Sequence, residues 1–182
     1  MAVLMNEITI LDKKFRELIS EQAIKKRIDE IALQINRDFA GSEIILVGIL
    51  NGAFMFAADL FRKIELTARI TFVKLASYQG TSSSGTIKEL IGWNEDLENK
   101  KIIIVEDIVD TGATLERTVN ELVIRNVAEI KIATMLLKPL AYTRDIPINY
   151  VGFEIPNKFV VGYGLDYNGF GRNLPSVYAL IK

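Results

Sequence analysis

The sequence predicts an α/β protein whose doubly wound, mostly parallel sheet is flanked by helices. Apolar runs rich in β-branched residues at 44–50, 101–106 and 129–137 are typical of strands that are buried on both faces. Apolar residues recur every three or four positions at 20–40, which is the pattern of an amphipathic helix. Strands that alternate with helices through right-handed crossovers form a sheet of this kind.

The other elements follow from the same patterns and from capping residues. Ser20 suits the N-cap of the first helix, and Gly41 suits its C-terminal stop. Residues 77–88 are rich in Ser, Thr and Gly, and loops of this length are usually functional or disordered. No linker divides the chain, so residues 1–182 are predicted to form one domain. The predicted helices are 20–40, 52–64 and 114–126, and the predicted strands are 44–50, 68–76, 101–106, 129–137, 150–155, 159–163 and 176–181.

The composition excludes several classes of protein. The chain has 182 residues, of which 49% are hydrophobic and 25% charged, so it can bury a sizeable core. It contains neither Cys nor His, which excludes disulfides, thiolate nucleophiles, Cys/His zinc sites and Ser-His-Asp triads. Any general acid or base must therefore be Asp, Glu, Lys or Tyr. The net charge of −1 predicts no broad surface for nucleic acid or membranes, and the N-terminal residues do not resemble a signal peptide, so a cytoplasmic protein is expected.

The most informative segment is 101–118, in which an apolar strand leads through a short turn into a helix. The strand carries Glu106 and Asp107 to its carboxyl end, where ligands bind in open α/β sheets. Two ionised carboxylates can accept hydrogen bonds from a cis-diol. The N–H groups of the turn at 110–114 suit a phosphate at the helix N-terminus. The segment therefore predicts a site for a phosphorylated ribose; an acidic Mg²⁺ site is the alternative, which the Thr-Gly-x-Thr turn disfavours.

Residues 102–115 resemble the phosphoribosyl-pyrophosphate (PRPP) motif of the type I phosphoribosyltransferases, and the resemblance is greatest to the hypoxanthine-guanine phosphoribosyltransferases. The segment KFVVGYGLDYN at 158–168, with Arg172 soon after it, indicates the purine branch. This resemblance implies the type I fold, with a small hood formed by the N- and C-terminal segments and a lid at 77–88. The other supporting residues are Leu50-Asn51-Gly52, Ser77-Tyr78, Lys138 and Arg172-Asn173-Leu174.

The resemblance implies a role for each matching residue. The general acid or base is Asp110, which faces N7 of the purine. The remaining residues form four groups: Glu106, Asp107, Thr111, Gly112, Ala113 and Thr114 for the ribose and its 5′-phosphate; Asn51, Gly52, Ser77, Tyr78 and Arg172 for pyrophosphate; Lys138, Phe159 and Val160 for the purine; and Asp166, Glu106 and Asp107 for Mg²⁺.

The purine contacts have physical reasons, and two positions depart from the family pattern. Lys138 can donate to the exocyclic oxygen of a 6-oxopurine, which rejects the amino group of adenine. Phe159 can stack on the base. Considered alone, Lys138 would be a solvent-reaching side chain and Phe159 a core residue. Asn51 stands where the family often has Lys next to a cis peptide bond, and Ala113 stands where it sometimes has a basic residue, so positive charge is missing at both places.

The resemblance implies purine salvage. The reaction would combine hypoxanthine or guanine with PRPP to give IMP or GMP and pyrophosphate, with Mg²⁺ as cofactor and a homodimer or homotetramer as the active form. One alternative is a phosphoribosyltransferase for xanthine or a pyrimidine. The other is a non-catalytic regulator that binds nucleotide and RNA on the same fold, which the net charge of −1 hardly supports.

Overall fold

The computed structural model describes residues 6–76, 88–93 and 95–181, which form ten strands and three helices. The strands are β1 (Glu7–Ile10), β2 (Lys13–Ile19), β3 (Glu43–Ile49), β4 (Thr67–Ala76), β5 (Lys88–Ile91), β6 (Lys101–Val109), β7 (Glu129–Leu137), β8 (Tyr150–Glu154), β9 (Val160–Val161) and β10 (Val177–Leu180). The helices are α1 (Glu21–Asp38), α2 (Phe54–Phe61) and α3 (Ala113–Ile124).

The larger sheet has six strands in the order β5-β4-β3-β6-β7-β8. Five of them pair in parallel, and β5 lies antiparallel to β4 at one edge. Alternate residues of the central strands face opposite sides of the sheet. Ile44 and Leu46 pack in the same cluster as α1 and α2, whereas Ile45 and Val47 pack with Leu115 of α3. Helices therefore cover both faces, and the predicted fold class is confirmed.

The first helix begins and ends close to the predicted residues. Ser20 is its N-cap, and the Ser20 side chain accepts a hydrogen bond from the backbone N–H of Ala23 at 3.3 Å. The predicted stop at Gly41 has a φ of +74°, two residues beyond the C-cap Phe39. The buried stripe of α1 consists of Ile24, Ile28, Ile31, Ala32 and Ile35. None of the described helices is long and apolar enough to cross a membrane.

The strand that carries the acidic pair is longer than predicted. It continues past residue 106 to Val109, because Ile108 and Val109 pair with Leu136 and Leu137 of β7. Glu106 and Asp107 are therefore the sixth and seventh of the nine residues of β6, and Asp110 is the residue that follows its end.

The second sheet has four strands in the order β1-β2-β10-β9 and joins segments from both ends of the chain. We call it the hood sheet. Phe15, Val161 and Tyr178 are buried in its own small core. The sequence patterns assigned no strand to residues 7–19, and the predicted strand 159–163 is limited to two residues, because Gly162 and Tyr163 have left-handed backbone conformations. The predicted lid at 77–88 lies outside the described residues, apart from Lys88 at the start of β5.

Candidate active site

Glu106 is buried, with 7% of its surface exposed, although it is an acidic residue. Among the described residues its Oε2 atom has no hydrogen-bond partner. Burial raises its pKa well above the ordinary value of 4.5, and the neighbouring charge of Asp107 raises that pKa further. A buried carboxyl group without a partner destabilises the folded protein unless a ligand hydroxyl or a cation contacts it. Glu106 is therefore positioned for a ligand.

Asp107 contacts the turn that follows β3. Its Oδ1 atom accepts a hydrogen bond from the backbone N–H of Ile108 at 2.7 Å. Burial raises the pKa of Asp107 from 3.8 to about 6, although the Ile108 N–H group and the Arg172 charge act in the opposite direction. A Cβ atom on Gly52 would overlap with Oδ2 of Asp107, so only glycine allows this approach. In the same turn, the peptide bond between Leu50 and Asn51 is cis, as the resemblance implied.

The turn at 110–114 lies at the N-terminus of α3 and borders a cleft of about 90 Å³, which is lined by Glu106 and residues 108–115. Gly112 is the N-cap of α3 and has a φ of +85°. A Cβ atom on Gly112 would lie 2.5 Å from Cε2 of Tyr142. The conformation and the packing both require glycine there. The first N–H groups of an α-helix have no partner within the helix, and the helix dipole is positive at this end, so the N-terminus of α3 is suited to an anion.

Lys138 and Asp110 form an ion pair beside this cleft. The Lys138 Nζ atom lies 2.6 Å from Oδ2 of Asp110. The Lys138 side chain is only 10% exposed, so it does not extend into solvent, whereas the Asp110 side chain is 45% exposed. The backbone N–H of Lys138 donates to the carbonyl of Val109 at 2.9 Å, which extends the pairing of β6 with β7 to the two charged residues. A buried cation and an accessible carboxylate thus meet at the carboxyl ends of β6 and β7.

Phe159 leads into β9 of the hood sheet, and 45% of its surface is exposed. Its ring lies 6.3 Å from that of Phe15 and 6.0 Å from that of Tyr167, edge to face in the second case. The hydroxyl group of Tyr167 donates to Oδ1 of Asp12 at 2.8 Å. Sequence reasoning missed Phe15 and Asp12, because their segment matches the family only loosely. Val160, which follows Phe159, is buried.

Asp166 and Arg172 bind each other in the segment 164–172, which we call the arm. The Arg172 Nη2 atom lies 2.5 Å from Oδ1 of Asp166. Arg172 also donates from Nη1 to the carbonyl of Gly164 at 2.6 Å, and Oδ2 of Asp166 accepts from the N–H of Gly169 at 2.7 Å. Both carboxylate oxygens of Asp166 therefore have partners in this structure.

The structure brings the predicted site residues together to different degrees. Within the described part of the chain, no three acidic side chains are grouped as a metal site, so Glu106, Asp107 and Asp166 form no ready-made cluster. Asn51 is exposed at the turn after β3. Ser77 and Tyr78 lie outside the described residues, and their role stays a prediction.

Comparison with known proteins assigns this chain to a family. The sequence matches the phosphoribosyl transferase domain family over residues 16–168. The hypoxanthine-guanine phosphoribosyltransferase of Aquifex aeolicus is 40% identical over 171 residues, which cover 93% of this chain and 96% of that protein. The hypoxanthine phosphoribosyltransferase of Salmonella typhimurium is 42% identical over 163 residues, which cover 88% and 92%.

Solved structures agree with the sequence relatives. The crystal structure of a hypoxanthine-guanine phosphoribosyltransferase from Bacillus anthracis superimposes with a TM-score of 0.85 at 37% identity, covering 97% of this chain and 99% of that one. The protein therefore belongs to the phosphoribosyltransferase family, and within it to the hypoxanthine-guanine phosphoribosyltransferases. It is accordingly an enzyme of the transferase class.

Proposed function

We propose that the protein transfers the 5-phosphoribosyl group of PRPP to hypoxanthine or guanine, giving IMP or GMP and pyrophosphate. The observation that carries this proposal is the ion pair of Lys138 with Asp110, at 2.6 Å, directly beside the cleft at the N-terminus of α3. A 6-oxopurine presents an acceptor oxygen and N7 next to each other. A buried ammonium group and a half-exposed carboxyl group are matched to those two atoms.

In the proposed reaction, a purine nitrogen attacks the ribose C1′ carbon while pyrophosphate leaves. Asp110 accepts the proton that N7 loses as the new bond forms, and Lys138 donates to the exocyclic oxygen. The N–H groups of residues 111–114 bind the 5′-phosphate, and Glu106 and Asp107 accept from the ribose hydroxyls. These contacts fix the distance and angle between base and sugar, which is the main requirement for such a transfer.

Mg²⁺ is the proposed cofactor. Carboxylate oxygens suit this ion, which usually keeps several waters and binds one or two carboxylates together with substrate phosphates. The free, buried Oε2 atom of Glu106 fits that requirement. Glu106, Asp107 and Asp166 would hold the ion, which neutralises negative charge on pyrophosphate when bound. Arg172 would bind the same pyrophosphate through its planar guanidinium group.

Release of pyrophosphate tests the proposed function directly. The protein is incubated with PRPP, Mg²⁺ and one base per well: hypoxanthine, guanine, xanthine, adenine, uracil or orotate. We expect release with hypoxanthine or guanine and none with adenine. Release with xanthine or a pyrimidine alone would keep the ribose site but overturn the purine assignment. No release with any base would favour the nucleotide-binding regulator, which RNA filter binding would then examine.

The role of Asp110 has its own test. Asp110→Asn should lower turnover roughly 10²-fold or more, because the amide cannot exchange a proton with N7. Calorimetric affinity for PRPP should stay within a few-fold of the parent protein. Asp145→Asn, at an exposed position on the loop between β7 and β8, is the matched control. Turnover of Asp110→Asn near that of the parent protein would refute the assignment.

The oligomeric state is also part of the proposal. We propose a homodimer or homotetramer, and sedimentation equilibrium distinguishes these from a monomer.

A further inference from the structure

Tyr163 makes a half-buried hydrogen bond to α2 that none of the proposed catalytic contacts includes. It follows β9, has only 5% of its surface exposed, and adopts a left-handed backbone conformation with a φ of +47°. Its hydroxyl group donates to Oδ2 of Asp59 at 2.7 Å. Burial and the Asp59 carboxylate raise the pKa of Tyr163 above its ordinary value of 10, so the hydroxyl remains a donor at neutral pH.

The hydrogen bond joins the two segments that are proposed to bind pyrophosphate. Asp59 lies on α2, which begins directly after the turn at 50–53. Tyr163 directly precedes Gly164, the first residue of the arm, whose N–H donates to the carbonyl of Arg172 at 2.9 Å. Gly164 is packed so closely against Gly52 that a Cβ atom on it would overlap with the Gly52 carbonyl oxygen. The turn and the arm therefore touch at these two glycines. The Tyr163–Asp59 hydrogen bond provides a second connection, between the residue that precedes the arm and the helix that follows the turn.

The backbone conformation of Tyr163 explains why its hydrogen bond can determine the position of the arm. A left-handed aromatic residue is unfavourable, and it persists where surrounding contacts determine the conformation. The side chain of Tyr163 is held by its hydrogen bond to Asp59. The next residue in the chain, Gly164, is hydrogen-bonded to Arg172. Loss of the anchor leaves the backbone at 163–164 free to relax away from Gly52.

We propose that Tyr163 and Asp59 are positioning residues, which hold the turn at 50–52 against the arm and thereby set the affinity for PRPP and pyrophosphate. The proposed purine contacts, Lys138 and Phe159, are not partners in this hydrogen bond. Phe159 also packs against Phe15, which lies outside the arm, so we expect the affinity for the base to change less than the affinity for PRPP. The inference rests on the proposed function, since it assigns a geometric requirement to the same pyrophosphate site.

The test compares two tyrosine-to-phenylalanine variants, each of which removes one hydroxyl group. Tyr163→Phe removes the bond to Asp59. Tyr150→Phe is the matched control, because Tyr150 is 4% exposed and its hydroxyl donates to Oδ2 of Asp38 at 3.0 Å. Tyr150 belongs to β8 at the edge of the larger sheet, where it pairs with β7. The KM for PRPP, the KM for hypoxanthine, kcat and the inhibition constant of pyrophosphate are measured for both.

We expect Tyr163→Phe to raise the KM for PRPP and the inhibition constant of pyrophosphate roughly 5–20-fold, the effect of losing one half-buried hydrogen bond. The KM for hypoxanthine should change less than about twofold, and Tyr150→Phe should leave all constants near those of the parent protein. Asp59→Asn keeps an acceptor oxygen and should behave like the parent protein, whereas Asp59→Leu should behave like Tyr163→Phe. A purely structural bond would change stability without separating the two KM values.

Three results overturn the inference, and they distinguish its failure from that of the proposed function. If the parent protein releases pyrophosphate and Tyr163→Phe keeps its KM for PRPP, the positioning role is refuted while the proposed function stands. The same conclusion follows if the KM values for PRPP and hypoxanthine rise together. If the parent protein releases no pyrophosphate with any base, the proposed function fails and the inference fails with it. Urea unfolding of every variant verifies that each is folded at the assay temperature.

Discussion

Asp107→Asn should make the ligand-free protein more stable at neutral pH. The Asp107 carboxyl group has a pKa of about 6 in the folded protein and an ordinary value of 3.8. At a pH above both values, this difference corresponds to about 3 kcal/mol of lost folding stability. Asparagine has nearly the same shape and can still accept from the N–H of Ile108, but it carries no charge to desolvate. We expect a gain of about 2–3 kcal/mol, or a rise in Tm of about 4–12 °C.

The raised pKa of Asp107 makes the gain in folding stability depend on pH. Between pH 3.8 and about 6 the folded state binds a proton at Asp107 more readily than the unfolded state. The parent protein therefore loses stability from this group as the pH rises through that interval. The gain in Asp107→Asn should be absent below about pH 4 and complete near pH 7. Removal of the Asp107 charge also weakens its repulsion of Glu106, which acts in the same direction.

Urea unfolding without ligand, at several pH values from 4 to 7.5, measures this gain. Asp145→Asn is the control, since it removes one negative charge at an exposed position. The variant should also lose affinity for PRPP, because it lacks a carboxylate that is proposed to accept hydrogen bonds from the ribose. A free energy of unfolding at pH 7.5 that is no higher than that of the parent protein would refute the reasoning. A gain that is equal at pH 4 and pH 7.5 would refute it as well.

Three other changes test neighbouring parts of the site. Binding of PRPP with Mg²⁺ at pH 7 should release a proton, because the raised pKa of Glu106 must fall when a ligand contacts it. Calorimetry in buffers of different ionisation enthalpy measures this release, and Glu106→Gln should reduce it. Gly52→Ala should weaken PRPP binding more than roughly tenfold, because the added methyl group overlaps with Asp107; titration calorimetry measures the affinity. Lys138→Met should lower kcat/KM for hypoxanthine roughly 10–200-fold without a matching loss for adenine, since an unpaired donor no longer discriminates between the bases. Pyrophosphate release with each base provides the comparison.

The sequence patterns predicted the larger sheet and its helices because those elements are determined locally. The buried stripe of α1 repeats with the period of a helix, and the short, continuous β-branched runs of β3 and β6 favour strands that are buried on both faces. The motif at 106–114 was visible for the same reason, since its residues are contiguous. The strand end was misplaced at residue 106, because two acidic residues suggest an end while the pairing with β7 continues to Val109.

The contacts that join distant segments could not be predicted from the sequence. Lys138 and Asp110 are 28 residues apart, and only the register of β7 against β6 brings them within 2.6 Å. Tyr163 and Asp59 are 104 residues apart and belong to different layers. Glycine at 112 suggested a tight turn, but its packing against Tyr142 depends on a loop that has no periodic pattern.

The order of strands in the hood sheet has a consequence for synthesis on the ribosome. The strand pairing of the larger sheet involves no residue beyond Glu154, whereas β10 lies between β2 and β9 and is therefore required to join them. In the nascent chain, the strands that carry Glu106, Asp107 and Lys138 can therefore pair before the hood sheet is complete. The aromatic contacts around Phe159 must wait until Leu180 has left the exit tunnel. A chain stalled before that point can carry Asp110 and Lys138 but has no aromatic wall for a purine.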